Sequence, residues 1–86
     1  MLRISRIDSS TGDVILRLEG KLIGPWVNEL KSCCAIVGNE GRRFSLDMTD
    51  VLFADRRGLA LLRALQESNV ALTGCTPLLS EELRRP

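Results

Sequence analysis

From residue 14 onward, segments whose apolar residues recur every second position alternate with segments where they recur every third or fourth. That alternation constrains the fold more than any other feature. Two strands joined through a helix cannot close as a tight hairpin, so the helix crosses over and the strands run parallel. The expected class is α/β, in the order β-β-α-β-α-β-α, with crossover helices lying against a partly parallel sheet.

The first strand is read at Leu2–Ile7, followed by the turn formers Asp8 to Asp13. Val14–Gly20 forms the second, with Val14, Leu16 and Leu18 on one face and Ile15, Arg17 and Glu19 on the other. Pro25 suits the first position of a helix, where its missing N–H has no intrahelical partner, and Gly38-Asn39 supplies a stop. Within that helix Trp26, Val27, Leu30, Cys33, Cys34 and Val37 form the apolar stripe, with Trp26 as a core anchor. A third strand runs from Arg42 to Met48 and is ended by Thr49-Asp50, leaving Val51–Ala54 as a short apolar link. Asp55 then caps a helix whose core row is Leu59, Leu62 and Leu65, with Arg63 and Glu67 four apart on its wetter side. Asn69–Gly74 reads as a fourth strand, and Thr76-Pro77 opens a third helix.

A chain of 86 residues, 44% of them hydrophobic, suffices for one small domain and is too short for two, so residues 1–86 are taken as one. Twelve basic and eleven acidic residues leave a formal charge of +1, too little to steer the chain onto nucleic acid or an anionic membrane. The aromatic residues Trp26, Phe44 and Phe53 all fall in apolar patterns, so no base-stacking platform is expected. The N-terminus MLRISRIDSS lacks the apolar segment of a secretory signal and no apolar run is long enough to span a bilayer. Direct membrane insertion is therefore not expected, and a cytoplasmic location is. The three cysteines, Cys33, Cys34 and Cys75, lack C-x-x-C spacing and are read as reduced core filling.

Chemistry is sparse. The chain has no histidine, which excludes Ser-His-Asp and Cys-His arrangements, and neither a phosphate-binding loop nor a dinucleotide fingerprint is present. Asp47, Asp50 and Asp55 could form a carboxylate cluster at element ends, and Asp47 could take a phosphoryl group or magnesium. Capping already accounts for Asp55. No enzyme activity, metal or cofactor is expected.

The stretch FADRRGLALLRAL, residues 53–65, carries an anomaly. Asp55 favours the positive end of the helix, but Arg56 and Arg57 in the first turn oppose the dipole, each by about 0.3–1 kcal/mol when exposed. Gly58 adds up to about 1 kcal/mol relative to alanine. Such an entrance is weak for stability and points to close approach by a partner or by the chain itself.

With these residues in hand, LRLEGKLIGPWVNEL, FSLDMTDVLFADRRGLALLRAL and NVALTGCTP together resemble the STAS domain family, typified by bacterial anti-sigma-factor antagonists. The family's strand ending Asp-Leu-Ser-Gly-Val corresponds to Asp47-Met48-Thr49-Asp50-Val51, and its Asp-Ser-Ser/Thr-Gly-Leu helix start to Asp55-Arg56-Arg57-Gly58-Leu59. The resemblance runs from about residue 2 to residue 80 and implies a mixed, mostly parallel sheet with helices packed mainly on one side. It implies a protein partner, often a kinase-type anti-sigma factor, bound around this loop and helix. The interface residues it marks are Asp55, Gly58 and Leu59 with Arg56 and Arg57, and Thr49 and Asp50 near them. The family's phosphorylated serine or threonine falls at Arg57, which has no hydroxyl, so the phosphoswitch does not carry over. The chain also stops where many members add a strand and a helix.

The expected function is thus a non-catalytic protein-interaction domain lacking the usual phosphoacceptor. Two alternatives stand beside it. One is a small regulatory subunit of a membrane-associated transport complex, a role served by other domains of this fold. The other is a response-regulator receiver phosphorylated on Asp47, against which stand the long gap from Asp47 to Gly58 and the missing acidic pair and lysine.

Overall fold

The computed structural model describes residues 1–85 and follows the expected order: β1 Leu2–Asp8, β2 Val14–Leu22, α1 Pro25–Asn39, β3 Phe44–Ala54, α2 Arg56–Glu67, β4 Ala71–Thr73 and α3 Pro77–Arg84. The sheet order is β1-β2-β3-β4. β1 runs antiparallel to β2 through a register from Leu2 opposite Gly20 to Asp8 opposite Val14, whereas β3 is parallel to both β2 and β4. The sheet is mixed and mostly parallel, with the helices on one face. That face is apolar because β2 alternates as expected: Val14, Leu16 and Leu18 are at most 1% exposed, while Ile15 is 36% exposed on the open face. Leu30 and Val37 of α1, Leu46, Met48 and Val51 of β3, Leu62 and Leu79 complete the core. Trp26 packs half-buried against it, and all three cysteines are free. No helix among the described residues is long and apolar enough to cross a membrane.

Three boundaries differ from expectation, each for a physical reason. Helix α1 runs through Gly38-Asn39 to a cap at Glu40, and the residue that turns the chain out is Gly41, at φ 71°. The fourth strand is shortened to Ala71–Thr73, because Asn69 takes a left-handed φ of 67° and the Val70 N–H is bound to the Leu65 carbonyl at the end of α2. Most consequential is β3, which does not end at Thr49-Asp50 but continues through the supposed link to Ala54. It carries two extra residues relative to β2, one between Asp47 and Asp50 and one at Leu52. Each bulge advances the side-chain phase by one, so Met48, Val51 and Ala54 are buried and the two residues in each gap are exposed. A strand with inward residues every third position no longer looks like a strand in the sequence.

An exposed ionic cluster ties the far end of the sheet together. Arg6 forms a two-pronged pair with Glu40 at 2.9 and 2.7 Å and also reaches Asp8 at 2.8 Å, while Arg42 donates to the Gly12 carbonyl at 2.7 Å. Arg6 holds the Glu40 carboxyl below the usual range, and Arg6 and Arg42 do the same to Asp8.

Candidate functional site

The start of α2 is built around one carboxylate. Asp55 Oδ1 accepts from the Gly58 N–H at 2.8 Å, the expected cap, and Oδ2 accepts from the Gly24 N–H at 3.0 Å, at the start of α1. The Asp55 N–H in turn donates to the Leu22 carbonyl at 3.1 Å. One side chain therefore joins two helix starts, a role that needs both oxygens of a carboxylate. The Gly24 and Gly58 N–H groups hold its carboxyl below the ordinary range, with a smaller pull from Arg57.

Gly58 answers the anomaly of the sequence. A Cβ placed there would lie 2.7 Å from the Leu22 carbonyl oxygen and 3.0 Å from Leu22 Cγ. The close approach is by the chain itself: α2 enters directly over the end of β2. This contact also rotates the helix. Its buried residues are Gly58 and Leu62, whereas Leu59 and Leu65, expected in the core, are half-buried along its flanks. Leu59 faces a groove toward α3 and Leu61 a groove toward α1.

The two arginines diverge at this point. Arg56 lines the groove on the α3 side together with Phe53, Leu59, Arg63 and Glu82. Arg57 lines the other groove, with Val27 and Lys31 of α1. Both are exposed, and neither forms an ion pair among the described residues. Arg63 does not pair with Glu67; its guanidinium donates to the Glu82 carbonyl at 2.6 Å and reaches the Leu83 carbonyl at 3.5 Å, serving the last turn of α3.

Thr49 and Asp50 stand apart from this cluster. Asp50 lies opposite Glu19 and Ala54 opposite Leu22, which puts Asp50 roughly 10 Å from Ala54 at about 3.3 Å per β2 residue, with Thr49 farther still. The Thr49 N–H and hydroxyl donate to Asp47 Oδ1 at 3.0 and 2.7 Å, which closes a turn across the first bulge and lowers the Asp47 carboxyl. A Cβ on Gly74 would collide with Thr49 Oγ1, so the turn after β4 seats against this residue. Asp50 pairs with Arg17 at 3.0 Å on the open face of the sheet. The three aspartates thus have separate local partners, and among the described residues no group of three or more His, Cys, Asp or Glu side chains could hold a metal ion.

The residues missing from the sequence reading are Leu52 and Phe53. They are 73% and 50% exposed, side by side at the end of β3. The available signal was the unbroken apolar run Val51–Ala54: on a strand covered on one face only, four successive apolar residues cannot all be buried.

No family model matches the chain, and no curated protein matches it. Among solved structures it is similar to an uncharacterized protein of the DUF3478 family with a SpoIIAA-like fold, from Shewanella loihica PV-4. The TM-score is 0.60 over 96% of this chain and 74% of that one, at 15% sequence identity. The fold is SpoIIAA-like. This agrees with the STAS-type architecture expected from the sequence, and at that identity the likeness concerns the fold alone.

Proposed function

We propose that the chain is a non-catalytic, cytoplasmic protein-interaction domain of the anti-sigma-factor-antagonist kind, which docks its partner at the start of α2 without a phosphoacceptor there. The observation that carries this reading is the exposed surface formed by Phe53 and the unpaired Arg56 around the half-buried Leu59, with the exposed Leu52 next to Phe53 in the chain. Apolar side chains rimmed by arginine are what protein interfaces concentrate. The SpoIIAA-like fold and the resemblance of Asp55, Gly58 and Leu59 to the family's loop support the same reading. The near-neutral net charge favours a protein partner over nucleic acid.

The test is calorimetric titration of the purified chain against the kinase-type anti-sigma factors encoded in the same genome. At least one should bind, and the double variant Phe53→Ser with Arg56→Glu should weaken that complex at least about tenfold, or roughly 1.4 kcal/mol, with an unchanged circular dichroism spectrum. Absence of binding to every such factor, or binding indifferent to the double variant, overturns the proposal.

A further inference from the structure

β4 pairs with β3 only as far as Asp47, yet β3 continues to Ala54, held on its other side by β2 up to Leu22 opposite Ala54. Residues 48–54 of β3 therefore have no strand beside them on the α3 side; the bulges shorten them, so that Asp50–Ala54 spans only the three-residue step Glu19–Leu22, roughly 10 Å at about 3.3 Å each. Among the described residues no turn or loop forms a backbone hydrogen bond to residues 48–54. Free edges are normally protected by lysine, proline, a β-bulge or a covering element, because their N–H and C=O groups are a template for another strand. The Gly74 turn covers Thr49, whose N–H is already bound to Asp47 Oδ1, and from Val51 to Ala54 the edge carries no lysine or proline, its one protective device among the described residues being the bulge at Leu52. It presents Leu52, the bulge residue without a β2 partner, and Phe53.

We propose that this edge, residues 50–53, accepts an extended segment of a partner protein as an added strand. An apolar side chain of the segment rests on Phe53 and Leu59, and a carboxylate near its end meets Arg56. The docking reading above supplies only the identity of the partner; the mode of binding rests on the edge itself. Charge selects an acidic segment. Arg56 has no ion-pair partner and sits in the first turn of α2, where the helix dipole also favours an anion. Arg63 is engaged by the α3 carbonyls, and Glu82, on the α3 wall, repels a carboxylate placed anywhere but the Arg56 end. Main-chain pairing supplies the affinity, and the alternate side chains supply the selectivity.

The probes are two capped octapeptides of alternating valine and threonine, one with a glutamate near its N-terminus and one near its C-terminus, since the strand can add in either direction. Binding is read by fluorescence anisotropy and by amide NMR. One of the two should bind saturably and protect amides within residues 50–53 from exchange. N-methylation of alternate peptide amides should weaken it at least tenfold. Replacing its glutamate by lysine should weaken it at least threefold, and Arg56→Glu should reverse that preference. No saturable binding up to millimolar peptide, binding indifferent to N-methylation, or protection confined to the β1 edge overturns the proposal. So does a dimer of the chain that Leu52→Pro dissolves while no peptide binds, because a second copy would then own the edge. If an anti-sigma factor binds Leu52→Pro as well as the parent, strand addition fails and the docking function stands. If the peptides bind the edge but no anti-sigma factor binds at all, the docking function fails and the edge stands.

Discussion

Asp55 joins α1 and α2 by giving one oxygen to each helix start. Asparagine caps helices about as well as aspartate in general, but here it would turn its NH2 toward one of the two N–H donors. Asp55→Asn should therefore destabilise the fold, seen as a lower midpoint in urea melts at neutral pH. Because the folded-state pKa of Asp55 is depressed, its contribution is complete above the ordinary carboxylate pKa and is lost as pH falls through the lower, folded value. The difference between parent and Asp55→Asn should accordingly be constant from neutrality to about pH 5 and shrink below about pH 4. A difference that grows in acid contradicts the clamp. Gly58→Ala is the complementary case: alanine is favoured in a helix by about 1 kcal/mol, yet its Cβ would press on the Leu22 carbonyl. The expected net loss is about 1–3 kcal/mol, and a stabilised variant would mean that α2 can lift from β2 freely. Burial pushes the Cys34 thiol up to about 12, so it should alkylate with iodoacetamide far more slowly than an unfolded-state cysteine, and urea should remove the protection.

Helix α2 is secured to the sheet along the line Gly58–Leu62, with no exposure at Leu62. Leu62→Ala should cost about 2–5 kcal/mol, and the half-buried Leu59 and Leu65 less; equal losses at the three positions in denaturant melts would restore the leucine row read from the sequence. α3 depends on Arg63, whose guanidinium donates to carbonyls in its last turn. Arg63→Ala should raise amide exchange in α3 while leaving β2 and β3 protected, since the core beneath α1 does not use that contact. In β3 the two bulges have a dual effect: they lengthen the strand relative to β2 and bring Leu52 and Phe53 to the surface, Phe53 lining the α2 groove. The same irregularity that hid the strand from its periodicity produces the patch on which the proposed docking rests.

For the molecule as a whole, the proposed docking works without a phosphoacceptor before Gly58, because that residue is Arg57, which has no hydroxyl. Incubated with the proposed kinase-type partner, ATP and magnesium, the chain should keep its intact mass, whereas Arg57→Ser should gain one phosphate. Stoichiometric phosphorylation of the parent at Thr49 that shortens the complex lifetime would show that the switch has moved. The element order, the inward face of β2, the proline starts of α1 and α3 and the Asp55 cap were all legible in the chain, because each depends on periodicity or chemistry within a few residues. The length of β3, the rotation of α2, the separation of Arg56 from Arg57 and the isolation of Thr49 and Asp50 were not. They follow from contacts between residues distant in the sequence: the β2–β3 register, Gly58 on Leu22, and Asp55 reaching Gly24. Local periodicity reports which face of an element is apolar, but only packing against a neighbour sets where that element begins, how far it turns and which side chains remain in water.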